Sequence, residues 1–262
     1  MEISYLKISG WDGAIRSMYM TLGNYNDELE RKLRWCSAFE DSMDDIATVK
    51  SLDGVCNDAV LVPGSSITCG EQTDDIMKWY EDQKHKVIKF GAKHITLLRY
   101  LDITMTVKGL HRGAQDDFDA HAERFDNRIV RMSTRTKNNE SIIELSDYYK
   151  GKILSFSDVD SKLNLPDVII HDDNVFVKTP LGYVNEQYRD DKDVRRGLIP
   201  LAISSTFTVK VQITEYCHVV RERNANGNAH PELKQLIEMS IPLIEEKVPE
   251  FNREFFMTQC IQ

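Results

Sequence analysis

The 262-residue sequence predicts a mixed α+β chain in a single domain. Three observations carry that prediction. Leu101–Lys108 alternates apolar and polar residues at period two, the signature of a half-buried strand. Residues 73–99 and 231–248 place apolar side chains at helical spacing. Two short β-branched runs, Val168-Ile169-Ile170 and Val175-Phe176-Val177, flank His171-Asp172-Asp173-Asn174, which reads as a hairpin.

In chain order, residues 2–9 read as a strand. Asp12 is the expected N-cap of a helix from Gly13 to Leu22, stopped by Gly23. Residues 24–35 read as a polar helix, and 36–70 as an irregular insertion with turn signals at Asp53-Gly54 and Pro63-Gly64. In 73–99, Ile76, Trp79 and Tyr80 share a face, and Gly91 is a candidate break. A helix is expected over Gly113–Asn127, and helix or turn over 141–149. Segment 206–224 fits two patterns. Phe207, Val209, Val211 and Ile213 alternate as in a strand, while Val209, Ile213, Tyr216 and Val220 keep helical spacing. Asn226-Gly227-Asn228 is a turn, Pro231 suits a first helical position, and Pro242 should kink or split the last long helix.

Composition narrows the function. Hydrophobic residues make up 41% and charged residues 29%, so whole-chain disorder is excluded. The net charge of −9, from 33 basic and 42 acidic residues, argues against general duplex nucleic-acid binding. No apolar run approaches a membrane span, and Met1–Tyr5 lacks the features of a secretion signal. A cytoplasmic protein is expected. Cys36, Cys56, Cys69, Cys217 and Cys260 are odd in number, without metal-ligand spacing, and read as incidental thiols; no metal site is expected. His218 and His230 read as isolated structural histidines, and His171 as a solvated turn residue. Phosphate-loop, dinucleotide and hydrolase motifs are absent.

The arginines are clustered. Nine of 15 fall in 112–135 and 195–223. Guanidinium forks suit phosphate and carboxylate, although composition alone favours surface ion pairs with Asp116, Asp117, Asp119, Glu123 and Asp126.

Two blocks carry a family resemblance. The first is strand Leu101–Lys108 followed by Gly109–His121 and Arg124–Arg135. The second is Arg196-Gly197-Leu198-Ile199-Pro200-Leu201, then His218–Arg223, then Ala229-His230-Pro231-Glu232. Gly91–His94 with Leu98-Arg99 belongs to the same pattern. Together they resemble the flavin-dependent thymidylate synthases. The resemblance implies a curved, mostly antiparallel sheet packed with a helical bundle, and a homotetramer. It implies reductive methylation of dUMP to dTMP with methylene-tetrahydrofolate, FAD and NADPH, the flavin carrying the redox step, so no catalytic side chain is assigned.

By the same resemblance, Gln115, Ser133, Arg135, Arg196, His218 and Arg223 are the nucleotide-binding residues. His94, His121, Arg124 and Gln212 are the flavin-binding residues. That placement takes 206–224 as helix throughout. The family's arginine-histidine-arginine is replaced by Asp119-Ala120-His121 with Arg124 a turn later, and Thr214 stands at a flavin-binding arginine. The alternative is a catalytically inactive member of the fold that binds a nucleotide or another protein.

Overall fold

The computed structural model describes residues 1–37, 71–121, 128–131, 144–225 and 229–258. These residues divide into two compact units. Most of the first unit comes from 103–211 and 215–258, with 1–7 added; the second is mainly 8–102 with 212–214. The content is α+β, as expected.

The first unit holds a four-stranded sheet in the order β1-β2-β7-β3, formed by β1 (Glu2–Ser9), β2 (Asp102–His111), β3 (Arg128–Arg131) and β7 (Ser204–Gln212). β3 runs antiparallel to β7, with Ile129 opposite Val209. Ile103, Met105 and Val107 of β2 and Phe207, Val209 and Val211 of β7 are essentially inaccessible to solvent. Burying each such side chain is worth about 1.5–3 kcal/mol. On the other face Thr106 and Thr208 hydroxyls meet at 2.9 Å.

Gly109 interrupts the alternation of β2. Its φ of +84° is a conformation glycine adopts without the steric cost a Cβ brings. The next two residues, Leu110 and His111, are consequently both buried. Helix α4 (Arg112–His121) follows at once, burying Ala114, Gln115 and Phe118 and carrying Asp116, Asp117 and Asp119 outside that face. It packs on α8 (Pro231–Lys247).

A second sheet in this unit is antiparallel, ordered β4 (Val168–His171), β5 (Asn174–Thr179), β6 (Gly182–Asn185). The expected hairpin is present, with Asp172 and Asp173 at φ 49° and 60°. The sequence reading missed β6, whose four residues Gly-Tyr-Val-Asn are too few for a period. Helix α5 (Phe156–Leu163), capped reciprocally by Ser155 and Asp158, was also missed, as was the short α6 (Lys192–Arg196). Helix α9 (Arg253–Thr258) closes the described chain.

In the second unit, α1 (Trp11–Thr21), a helix over 27–37 (α2) and α3 (Glu71–Gly91) precede a 3-10 turn over Ile95–Tyr100. Helix α1 starts two residues before the expected Gly13. The N-cap is Gly10, at φ 92°, rather than Asp12. A Cβ at Gly10 would lie 1.9 Å from the Tyr100 carbonyl oxygen, so the close approach demands glycine. Gly91 ends α3 as anticipated. The insertion expected over 36–70 begins in helix at 36–37, and its remainder lies outside the described residues.

Two further expectations are corrected. Segment 206–224 is not one helix: it is strand through Gln212, then helix α7 (Ile213–Ala225). The β-branched alternation prevails where β3 supplies a partner strand, and helical spacing operates only after it ends. Pro242 does not divide α8, which runs unbroken through it. The turn expected at 226–228 lies outside the described residues. Among the described residues, no helix is long and apolar enough to cross a membrane.

Candidate functional site

The residues assigned from sequence scatter more than the resemblance implied. Ser133, Arg135 and Arg124 lie outside the described residues, and His121 is placed only as the last residue of α4. Gln212 closes β7, while His218 and Arg223 stand on α7, so the one-helix placement of these three fails. His94 is exposed before the 3-10 turn, its ring 4.6 Å from that of Phe90.

In the first unit, α4 organises the arginines. Arg223, 8% exposed, donates from Nη2 to Asp117 Oδ1 at 2.7 Å. Arg131 on β3 reaches Asp119 at 2.7 Å and Asp116 at 3.0 Å, and donates to the Gln115 carbonyl. The acidic residues of α4 therefore hold two of the arginines in ion pairs, as composition favoured. Gln115 is fully buried. Its amide nitrogen donates to the Leu110 carbonyl at 3.0 Å, but its Oε1 finds no partner among the described residues. The Nε atoms of Arg131 and Arg223 are likewise buried and unpartnered. Such orphaned donors and acceptors are uncommon in folded interiors.

Beside α4 opens a cavity of about 380 Å³, lined by Arg112, Asp116, Arg196, Ile199, Pro200, Leu201 and Ile203. Its size falls in the range of small-molecule sites. The Gly113 N–H donates to the Leu201 carbonyl at 3.3 Å, tying the 199–201 segment to the start of α4. Among the described residues, Arg112 and Arg196 contact acids only at 3.7 Å, Arg112 with Asp116 and Arg196 with Asp193. Of the assigned nucleotide residues, Arg196 lines this cavity and Arg223 does not. The sequence reading counted Arg112 among the clustered arginines but gave it no site role; in the structure it directly follows β2.

A second cluster lies at the end of β2. His111 donates to Glu232 from both its ring Nδ1 and its backbone N–H. Tyr148 N–H donates to the other carboxylate oxygen at 3.3 Å. His230 caps α8, its Nδ1 accepting from the Glu232 N–H, while its Nε2 meets the Tyr149 hydroxyl at 3.2 Å. The two histidine rings lie 4.1 Å apart, with Tyr148 and Tyr149 edge-on to one or the other. The tyrosines are brought there by a short antiparallel bridge of Leu145 to Ile203. Burial alone would raise the Glu232 carboxyl; the bonds from the ring and backbone of His111 oppose it, and the group is held below the ordinary range. Burial and the neighbouring His111 hold His230 below the ordinary imidazole value. His230 is thus not isolated. Its hydroxyl partner, Tyr149, lies 81 residues away and leaves no local signal.

Two of the four flavin candidates have described side chains. His94 and Gln212, both in the second unit, offer an imidazole and an amide. The pyrophosphate of FAD calls for cationic forks or a helix N-terminus, and neither residue supplies one.

No family model matches this sequence, and no curated protein matches it. Two solved structures of similar shape are of the flavin-dependent thymidylate synthase ThyX from Helicobacter pylori, each with FAD and dUMP. One is 12% identical, covers 97% of this chain and 99% of its own, and has a TM-score of 0.49. The other, also 12% identical, covers both chains fully with a TM-score of 0.45. A likeness of that size fixes neither the fold nor the site residues.

Proposed function

We propose that this chain binds a pyrimidine nucleoside monophosphate of the dUMP class in the cavity between α4 and the 199–201 segment. We further propose that it acts as a divergent flavin-dependent thymidylate synthase, converting dUMP to dTMP with methylene-tetrahydrofolate, FAD and NADPH. The observation that supports binding is the convergence of Arg112 and Arg196 on one cavity walled by Ile199, Pro200 and Leu201. Two planar cations suit a phosphate dianion, and an apolar wall suits a base face. The order and residue types of the two arginine blocks support the choice of nucleotide and reaction. A homotetramer is part of the same reading.

A second reading, nucleotide binding without flavin chemistry, is favoured by a specific observation. The acids of α4 occupy Arg131 and Arg223, and an aspartate beside a pyrophosphate repels it. The deciding experiment is an absorbance spectrum of the purified protein, followed by titration with FAD, with and without dUMP. Flavin binding perturbed by dUMP supports the enzyme. dUMP binding with no flavin bound leaves the second reading. Absence of dUMP binding overturns both.

A further inference from the structure

We propose that His111, His230 and Glu232 form a binding site for a divalent transition-metal ion of the zinc class. One ring nitrogen from each histidine and one carboxylate oxygen lie within 4.8 Å of one another. Two imidazoles and a carboxylate are a donor set that zinc takes with a fourth position open. Magnesium and calcium demand shells of oxygen, so this trio selects against them.

The surroundings suit a metal as well as the donors do. His111 and Glu232 are nearly excluded from solvent, and His230 is half-buried, which leaves one side for an ion to enter. Outer contacts already aim the ligands: the Tyr149 hydroxyl on His230 and the Tyr148 N–H on Glu232. Partners of this kind orient coordinating groups and sharpen affinity. The ion takes the place of the proton held between His111 Nδ1 and Glu232, and of the Glu232 N–H at His230 Nδ1, while the Tyr149 hydroxyl keeps its bond to Nε2. The trio spans the end of β2 and the first turn of α8, so an ion there cross-links segments far apart in sequence.

The site is independent of the nucleotide reading, and its test needs no nucleotide. The full chain, stripped with a chelator, is titrated with Co²⁺ alone and followed by its visible d–d bands. Zinc is then added in competition. One equivalent of cobalt with the intense bands of a four- or five-coordinate site, displaced by zinc, is the expected result. His230→Asn keeps a side-chain acceptor at the N-cap and removes the imidazole; it should weaken binding at least 100-fold, taking the ~10–100-fold cost of outer-contact loss as a floor. Tyr149→Phe, which retains the ring, should weaken binding about tenfold. His171→Ala, at an exposed histidine of β4, should leave binding unchanged. Far-ultraviolet circular dichroism establishes that each variant is folded. No cobalt bound by the wild-type chain overturns the proposal. So does binding that survives both His230→Asn and Tyr149→Phe, or that depends on His171 instead.

Discussion

Glu232, in the first turn of α8, accepts hydrogen bonds from both the ring and the backbone N–H of His111, 121 residues earlier at the end of β2. Both residues are nearly free of solvent. Glu232→Ala would leave the donors of His111 and Tyr148 N–H without an acceptor. Removing one partner of a buried pair costs about 3–5 kcal/mol. Glu232→Gln keeps a carbonyl oxygen for part of the set and should cost roughly 1–3 kcal/mol. Urea denaturation should rank wild type above the Gln variant and that above the Ala variant; equal stabilities would contradict the assignment.

The same cluster sets a pH dependence with a definite sign. His230 is held below the ordinary imidazole value, first by burial and then by His111. The unfolded chain therefore takes up this proton first, and the stabilisation is lost as pH falls from about 6.5 toward the folded value. Glu232 is also depressed, so its contribution is lost at lower pH, below about 4.3. In the second unit Glu30 is lowered to about 2, chiefly by its hydrogen bond from Arg16, and adds to the acid limb. The melting temperature should fall in two stages between pH 7 and pH 3. His230→Asn should flatten the first stage and leave the second.

How much of this was legible depends on range. β2 was readable because Ile103, Met105 and Val107 alternate within one segment. β7 was misread because Val209 and Ile213 satisfy both periods, and only the neighbouring strand decides. Gly10 displaced Asp12 as the cap of α1 because of a close approach to Tyr100, which the sequence does not display. At the site, the arginine clustering was visible, but their pairing with α4 acids depends on which helix face points where. His111 and Glu232 each stood inside a recognised block, and nothing local joined them.

A hydroxyl pair in the core offers a test of asymmetry. Tyr216 and Ser240 are fully buried and hydrogen-bonded to each other, and Ser240 also donates to the Ile237 carbonyl at 2.9 Å. Tyr216→Phe leaves Ser240 with that carbonyl and should cost about 1 kcal/mol. Ser240→Ala strands the phenol in the core and should cost more, about 1–3 kcal/mol. The reverse order by chemical denaturation would show that the Tyr216 hydroxyl has another partner.

The β4–β5 turn holds Asp173 at φ 60°. Left-handed backbone costs an L-residue about 1–2 kcal/mol, against about 0.5–1 kcal/mol of extra chain entropy for glycine. Asp173→Gly should thus be neutral to stabilising by about 1 kcal/mol. Asp173→Val should lose at least about 1 kcal/mol, because a β-branched side chain is poorly tolerated there. Thermal melts of the two variants decide it.

The arginines divide by geometry into two classes, and nucleotide binding should divide with them. Arg112 and Arg196 line the cavity with, among the described residues, only long contacts to acids. Either one changed to Ala should weaken dUMP binding by about 1.5–3 kcal/mol, the scale of a hydrogen bond to a charged group, with little change in melting temperature. Arg223 is buried against Asp117 and stands outside the cavity lining. Arg223→Ala leaves Asp117 uncompensated, so its first effect should be on stability, about 1–3 kcal/mol, with any loss of dUMP affinity smaller than for Arg196→Ala. Calorimetric titration of dUMP into the three folded variants separates the cases. If Arg223→Ala abolishes binding at unchanged stability while Arg112→Ala and Arg196→Ala bind normally, the phosphate lies on the α7 side of α4, and the cavity assignment falls.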